Sequence, residues 1–221
     1  MVAEFEFDPR TLRYRNKSTG RLVGLATIKK LVNDTIEQYQ QENRVIATDL
    51  FEGRLSVGEW ESDIAQNIKD LNLQLYKLGS GQMDSRDYGI VGRRLRREYG
   101  YLRKFSTEIA LGQLTENQIT ARLDQYANAA RGMLERGRRE GFSLAGATYE
   151  RRILNSKVPC AQCPQYAALG WQPKGLLQNI GEGCDCRSNC KCSFEYSFGI
   201  NRPDNQSLLK LNFGWVAWLF C

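Results

Sequence analysis

Apolar residues recur at three- and four-residue steps through residues 26–145, which predicts a helical body. At the N-terminal edge the period is two. Phe5 and Phe7 alternate with Glu4 and Glu6, and Asp8-Pro9 ends the run as a short strand. Arg13-Tyr14-Arg15 and Arg21-Leu22-Val23 flank Asn16-Lys17-Ser18-Thr19-Gly20, which reads as a hairpin with Gly20 at a positive-φ position. Residues 1–25 therefore read as a β arm, which needs the body of the protein or a partner to pack against.

Within residues 26–145 the helix boundaries are written in the local sequence. Three starts carry an N-cap with an acid or amide three residues on, bracketed by two apolar residues able to form a staple. These are Leu55, Ser56, Glu59 and Trp60; then Met83, Asp84, Asp87 and Tyr88; then Leu114, Thr115, Gln118 and Ile119. An Asp at the third position makes a weaker box than Glu or Gln. Gly53 and Gly112 stand where a left-handed C-cap would stop the preceding helix. Gly53-Arg-Leu-Ser-Val-Gly-Glu-Trp and Gly112-Gln-Leu-Thr-Glu-Asn-Gln-Ile thus echo each other, each closing one helix and opening the next, so that two αα-hairpins result. The expected buried face of the third helix is Tyr88, Val91, Leu95, Tyr99, Leu102, Phe105 and Ile109. The fourth gives Ile119, Leu123, Tyr126, Ala130 and Met133, and the first, less strictly, Ile28, Leu31, Ile36, Tyr39, Val45 and Leu50. The expected fold class is mainly α: an elongated helical bundle of αα-hairpins with an N-terminal β arm and a small C-terminal cysteine-rich, zinc-knuckle-like module.

That module spans residues 146–196. Of seven cysteines, six fall in it, as Cys160-x-x-Cys163 and Cys184-x-Cys186-x-x-x-Cys190-x-Cys192. Thiolates two or three residues apart can converge on one ion, and two such pairs make a closed tetrathiolate site, for which Zn2+ in a structural role is the default. Cys160 and Cys163 supply one knuckle and Cys190 and Cys192 the other, with Cys186 able to replace a member. Disulfides are the rival, and they need an oxidising compartment. The acidic, alternating Met1-Val-Ala-Glu-Phe-Glu-Phe is unlike a basic-then-apolar secretory leader, which favours metal. Between the knuckles, the density of Gly and Pro over residues 169–183 predicts a loop, and Ser193-Phe-Glu-Tyr196 alternates as a short strand. Residues 197–221 form an apolar tail of open role, interrupted by Lys210 and Asn212 and too short to span a bilayer.

Composition narrows the chemistry. With no histidine in 221 residues, Ser-His-Asp and Cys-His catalysis and mixed Cys/His metal shells are excluded. No phosphate-binding glycine motif occurs, so nothing indicates an enzyme or a small-molecule substrate. A redox role for Cys160-x-x-Cys163 lacks the strand-to-helix context that would activate a thiolate. A net charge of +6 suits an acidic or polyanionic partner without demanding one. Arg93, Arg94, Arg96, Arg97, Arg103 and Lys104 lie within twelve positions, and Arg93, Arg96, Arg97 and Lys104 fall near one side of a helix. A second group holds Arg131, Arg136, Arg138, Arg139, Arg151 and Arg152. Each group reads either as a solvated face or as a contact for phosphate or an acidic protein surface. No base-reading motif accompanies them, so sequence-specific recognition is not indicated.

Three stretches together resemble a phage and prophage family. They are Arg13-Tyr-Arg-Asn-Lys-Ser-Thr-Gly-Arg-Leu-Val, Tyr88-Gly-Ile-Val-Gly-Arg with Glu98-Tyr-Gly-Tyr-Leu-Arg-Lys-Phe, and the tail from Cys160-x-x-Cys163 through Gly170-Trp171 to Cys186-x-x-x-Cys190-x-Cys192. Over roughly residues 10–196 the chain is similar to minor head proteins of the Mu F-like head morphogenesis group. In that group a histidine often precedes the final Cys-x-Cys; here Cys186 takes about that place, and Cys184 looks additional. The residues after Tyr196 depart from the pattern. The resemblance implies a non-enzymatic virion component, made in the host cytoplasm, that binds portal or capsid proteins and touches packaged DNA at most through basic helix faces. From another class, a zinc-stapled, sequence-independent nucleic-acid-binding protein would account for the same basic helices and knuckles.

Overall fold

The computed structural model describes residues 2–199, so the apolar tail expected after residue 199 lies outside the described residues. The N-terminal sheet consists of β1 (Phe5–Asp8), β2 (Arg13–Asn16) and β3 (Leu22–Val23), antiparallel in that order. Phe7 pairs with Tyr14 across the sheet, and Tyr14 with Val23. At the β2–β3 turn the Asn16 side chain accepts the amides of Ser18 and Thr19, each at 3.0 Å, and Gly20 takes φ 67°. The arm is not free. Phe7 and Tyr14 are buried, and the Phe7 ring lies 4.9 Å from that of Phe142.

Five long helices follow: α1 (Leu25–Phe51), α2 (Val57–Ser80), α3 (Ser85–Ala110), α4 (Glu116–Ala129) and α5 (Arg131–Leu144). All three expected capping boxes are present. Ser56 accepts the Glu59 amide, Asp84 that of Asp87 and Thr115 that of Gln118, and each third residue returns the bond. The Asp84–Asp87 pair is as well formed as the others, at 2.9 Å in both directions. Gly53 and Gly112 stop α1 and α3 with φ of 72° and 66°. The amides of the residues after them, Arg54 and Gln113, reach back to the Asp49 and Glu108 carbonyls at 2.8 and 3.0 Å.

The α2 helix is central, with α1, α3 and α5 packed around it. One half of the core joins Trp60, Ile64 and Ile68 to Val91, Leu102, Phe105 and Leu123, with Trp60 edge-on to Phe105 at 5.3 Å. The other half joins the N-terminal sheet to Ile28, Val32 and Ile36 of α1 and Leu71, Leu75 and Leu78 of α2.

Three expectations are corrected. Tyr88 is 58% exposed, because Asp87 takes the inward position and its carboxylate receives the buried Tyr76 hydroxyl at 2.5 Å. Val45 is 61% exposed; the inward face of α1 runs through Thr35, Asn43 and Ala47 instead. The stretch expected as one fourth helix divides at Ala130, so that α4 packs against α1 while α5 turns onto α2. Glycine makes that second contact possible. A methyl group on Gly137 would collide with the Tyr76 carbonyl oxygen, and one on Gly79 with the Leu134 carbonyl oxygen.

The C-terminal module is a second antiparallel sheet with β4 (Tyr149–Ile153) between β5 (Gln172–Pro173) and β6 (Ser193–Ser197), plus a short helix α6 (Gln162–Ala168). The expected strand at Ser193 is β6. Residues 169–183 form the expected loop apart from the two residues of β5.

Candidate metal centre

The centre is built from two tight turns that face each other across the module. The first is Cys160 to Cys163 at the start of α6, closed by the Cys163 amide on the Cys160 carbonyl at 3.3 Å. In the second, the amides of Arg187, Asn189 and Cys190 reach the carbonyls of Cys184, Cys186 and Arg187 at 3.1, 2.8 and 3.2 Å. Gly181 and Gly183, at φ 78° and 65°, fold the chain back toward the second turn, and a methyl group on Gly181 would meet the Arg187 carbonyl oxygen at 2.9 Å. Arg187 itself adopts φ 43°, uncommon for a residue with a side chain.

These turns bring all six cysteines together as free thiols. The Cys163 Sγ atom lies 3.5 Å from that of Cys160 and 3.8 Å from those of Cys186 and Cys190. Cys160, Cys163, Cys184 and Cys186 have sulfurs all within 4.8 Å of one another, and so do Cys163, Cys190 and Cys192. A tetrahedral ion with metal–sulfur bonds of about 2.3 Å has sulfur–sulfur edges of about 3.8 Å, so these groups could hold a metal ion. The five cysteines expected as ligands are all present, and Cys184 joins them.

Main-chain amides are directed at the sulfurs, as the knuckle geometry requires. At Cys190 the Cys192 thiol, opposed by burial and aided by the Cys192 and Gly181 amides, holds the thiol down to about 4. At Cys160 burial raises the value, but the Cys186 thiol, the Cys163 and Cys186 amides and the Cys163 thiol bring it to about 6. Burial, together with the neighbouring Cys160 thiol, pushes Cys163 up. Cys192 is raised by the Cys190 thiol and by burial. The cluster thus pools a limited number of protons among crowded sulfurs, the condition a cation relieves.

The surroundings are polar at depth. The inward face of β4 carries Glu150 and Arg152, which are 0% and 2% exposed. Arg139 of α5 forms a two-point ion pair with Glu150 at 2.8 and 2.9 Å, and Glu150 also accepts the Gly175 amide. Arg152 has no carboxylate partner among the described residues. Its guanidinium donates to the Gln178 carbonyl at 2.5 Å, lies 4.5 Å from the Tyr166 ring centre and approaches Cys163 Sγ at 4.0 Å. The expectation of a solvated or partner-binding face at the second arginine group therefore fails for Arg139 and Arg152, which are internal. The strand pattern held a usable signal, since residues 150 and 152 share one side of a period-two element.

The module is fastened to the helices. Phe142 stacks on Tyr196 at 4.3 Å, the Phe194 amide donates to Glu135 at 3.2 Å, and Arg97 pairs with Glu182 at 2.8 Å. Arg97 is therefore engaged internally, and so is Arg94, which pairs with the buried Glu98 at 2.5 Å. Arg93, Arg96 and Lys104, with Arg103, are exposed on α3 and make no ion pair among the described residues. An open cleft of about 550 Å3 runs between α3, α4 and the module, lined by Arg94, Arg97, Arg122, Arg187, Tyr101 and Tyr126.

Fold and site together define a mainly helical protein with a cysteine cluster able to hold metal. No protein-family model, curated protein or solved structure matches the chain. Among the described residues, no helix is long and apolar enough to cross a membrane.

Proposed function

We propose that this chain is a minor head protein of a tailed phage, which binds portal or capsid subunits during head assembly and carries a structural zinc site rather than a catalytic one. The observation that carries the partner-binding part is the outer face of α3. Arg93, Arg96, Arg103 and Lys104 stand there exposed and unpaired, while of the acids on the same helix Asp87 and Glu98 are turned inward and Glu108 pairs with Arg122 of α4. Such a face complements an acidic protein surface and guides association more than it adds affinity. The phage assignment rests on the resemblance of the Arg13–Val23, Tyr88–Arg93, Glu98–Phe105 and Cys160–Cys192 segments to Mu F-like head morphogenesis proteins. Zinc is proposed because an all-thiolate set with no open position suits that ion in a staple. The protein would then be made in the host cytoplasm and end in the virion.

The test is to reverse Arg93, Arg96 and Lys104 to Glu and measure incorporation into heads alongside binding to duplex DNA. Loss of incorporation, with no DNA binding by the unaltered protein, is the expected result. Unchanged incorporation would return the face to a solvated surface. Salt-dependent DNA binding by the unaltered protein, lost in the variant, would instead favour the sequence-independent nucleic-acid reading, since phosphate contacts release counterions.

A further inference from the structure

We propose that the six clustered cysteines hold two metal ions in one thiolate-bridged cluster, with Cys163 and Cys184 shared between the ions. This rests on the metal reading above and goes beyond a single staple. One tetrahedral ion accepts four thiolates, whereas six sulfurs converge here. Cys160, Cys163, Cys184 and Cys186 already make one mutually close set of four. If that set takes an ion alone, Cys190 and Cys192 are left beside it as a buried pair, 3% and 6% exposed, with Cys163 close to both.

Cys163 is the hub. Its sulfur lies 3.8 Å from Cys186 in the first set and 3.8 Å from Cys190 in the second, the edge length of a metal–sulfur tetrahedron on both sides. A second ion at Cys163, Cys190 and Cys192 has three thiolates and lacks one. Cys184, within 4.8 Å of Cys163 in the first set but outside the second, supplies it by turning toward the second ion as the cluster fills. Each ion then has four sulfurs: Cys160, Cys186 and the two shared ones for the first, Cys190, Cys192 and the same two for the second. Six thiolates and two divalent ions carry a net charge of −2, reached as the bound thiols release their protons. The buried guanidinium of Arg152, 4.0 Å from the shared Cys163 sulfur and without a carboxylate of its own among the described residues, offsets part of that charge. The ligand class is a pair of thiophilic divalent ions, zinc first among them.

The test is metal stoichiometry on the full chain, purified under reducing, chelator-free conditions in a Cys221→Ser background so that the count reads only the clustered thiols. Two zinc equivalents per chain are expected, falling to one in Cys192→Ser, which leaves the first set of four untouched. Cobalt supplies a readout of the bridge. Two high-spin Co2+ ions joined through thiolates couple, so the paramagnetic resonance signal grows to one equivalent and then falls toward two. One zinc equivalent in the unaltered cluster, or a cobalt signal that keeps growing to two equivalents, overturns the bridged pair and leaves a single-ion staple standing. No metal at all, or intact disulfides, overturns both.

Discussion

Replacing Gly137 by Ala places one methyl group in the close contact between α5 and α2, and its effect follows from the geometry. The added carbon would collide with the carbonyl oxygen of Tyr76 and sit 3.1 Å from the amide nitrogen of Ser80. Both obstacles are main-chain atoms of α2, which cannot rotate aside as a side chain can. To reach ordinary contact distance α5 must withdraw by about 1 Å, a gap that forfeits a quarter to a half of the dispersion well for each atom pair along the seam. Over-packing of this kind costs about 1–3 kcal/mol, and an immovable main-chain obstacle argues for the upper end. Ala is favoured over Gly inside a helix by about 1 kcal/mol. The net expectation is a loss of about 2 kcal/mol, or about 4–8 °C in Tm for a chain of this size.

The control is Gly100→Ala on the exposed face of α3, where an added methyl meets nothing within 4 Å. There only the helix preference acts, and stability should rise by up to about 1 kcal/mol. Denaturant unfolding of both variants, followed by far-ultraviolet circular dichroism, reads the two signs side by side. If Gly137→Ala is neutral or stabilising, the α2–α5 seam is looser than described and its glycines are not there to permit close approach.

Three further outcomes are expected. Thr115→Ala removes the cap that receives the Gln118 amide and should lower stability by about 1 kcal/mol without changing metal content; an unchanged unfolding midpoint would remove Thr115 from the helix boundary. Glu150→Gln leaves Arg139 buried without its carboxylate and should cost about 3–5 kcal/mol, read by denaturant unfolding, whereas a loss below about 1 kcal/mol would mean that Asn179 and the Leu177 carbonyl suffice for Arg139. Glu182 is held below its ordinary 4.5: burial opposes ionisation, but the Asn179 amide and the Arg97 guanidinium outweigh it. Because the folded value is depressed, the contribution of Glu182 is complete above 4.5 and is lost as pH falls through the folded value. The stability gap between the unaltered protein and Glu182→Gln should therefore be constant near neutrality and close on acidification; a gap indifferent to pH would deny the ion pair any share in docking the module.

What could be read in advance depends on how far along the chain the responsible partners lie. Each capping box is complete within four residues, so the starts of α2, α3 and α4 are legible, and Gly53 and Gly112 announce their C-caps in the same way. Periodicity places most of the core but not the choice between neighbours at a helix end. Tyr88 loses the inward position to Asp87 only because Tyr76, eleven residues earlier, offers a hydroxyl. The division at Ala130 has no proline to mark it, and Gly132 two residues on lies inside α5, so the division goes with the α2–α5 approach through Gly79 and Gly137. Members of the basic groups find partners within the protein for the same reason: Arg97, half exposed, meets Glu182 across 85 residues, and buried Arg139 meets Asn179 across 40.

Cysteine spacing reveals that thiols converge and leaves open how many act together. Spacing orders the pairs 160/163 and 190/192, whereas proximity in space brings Cys184 into the first close set and makes Cys163 common to both. Around this cluster the usual sorting of charge outward is reversed, with Glu150 and Arg152 on the inward side of β4. Buried charge of that kind persists only where partners are fixed. Arg139 and the Gly175 amide fix Glu150, while Arg152 faces carbonyl oxygens, an aromatic ring and the Cys163 sulfur. A guanidinium so placed is consistent with a negatively charged cluster. Arg152→Met should therefore weaken metal retention against a competing chelator more than it weakens the α1–α3 core in hydrogen exchange, and equal losses in both would make Arg152 a packing residue only.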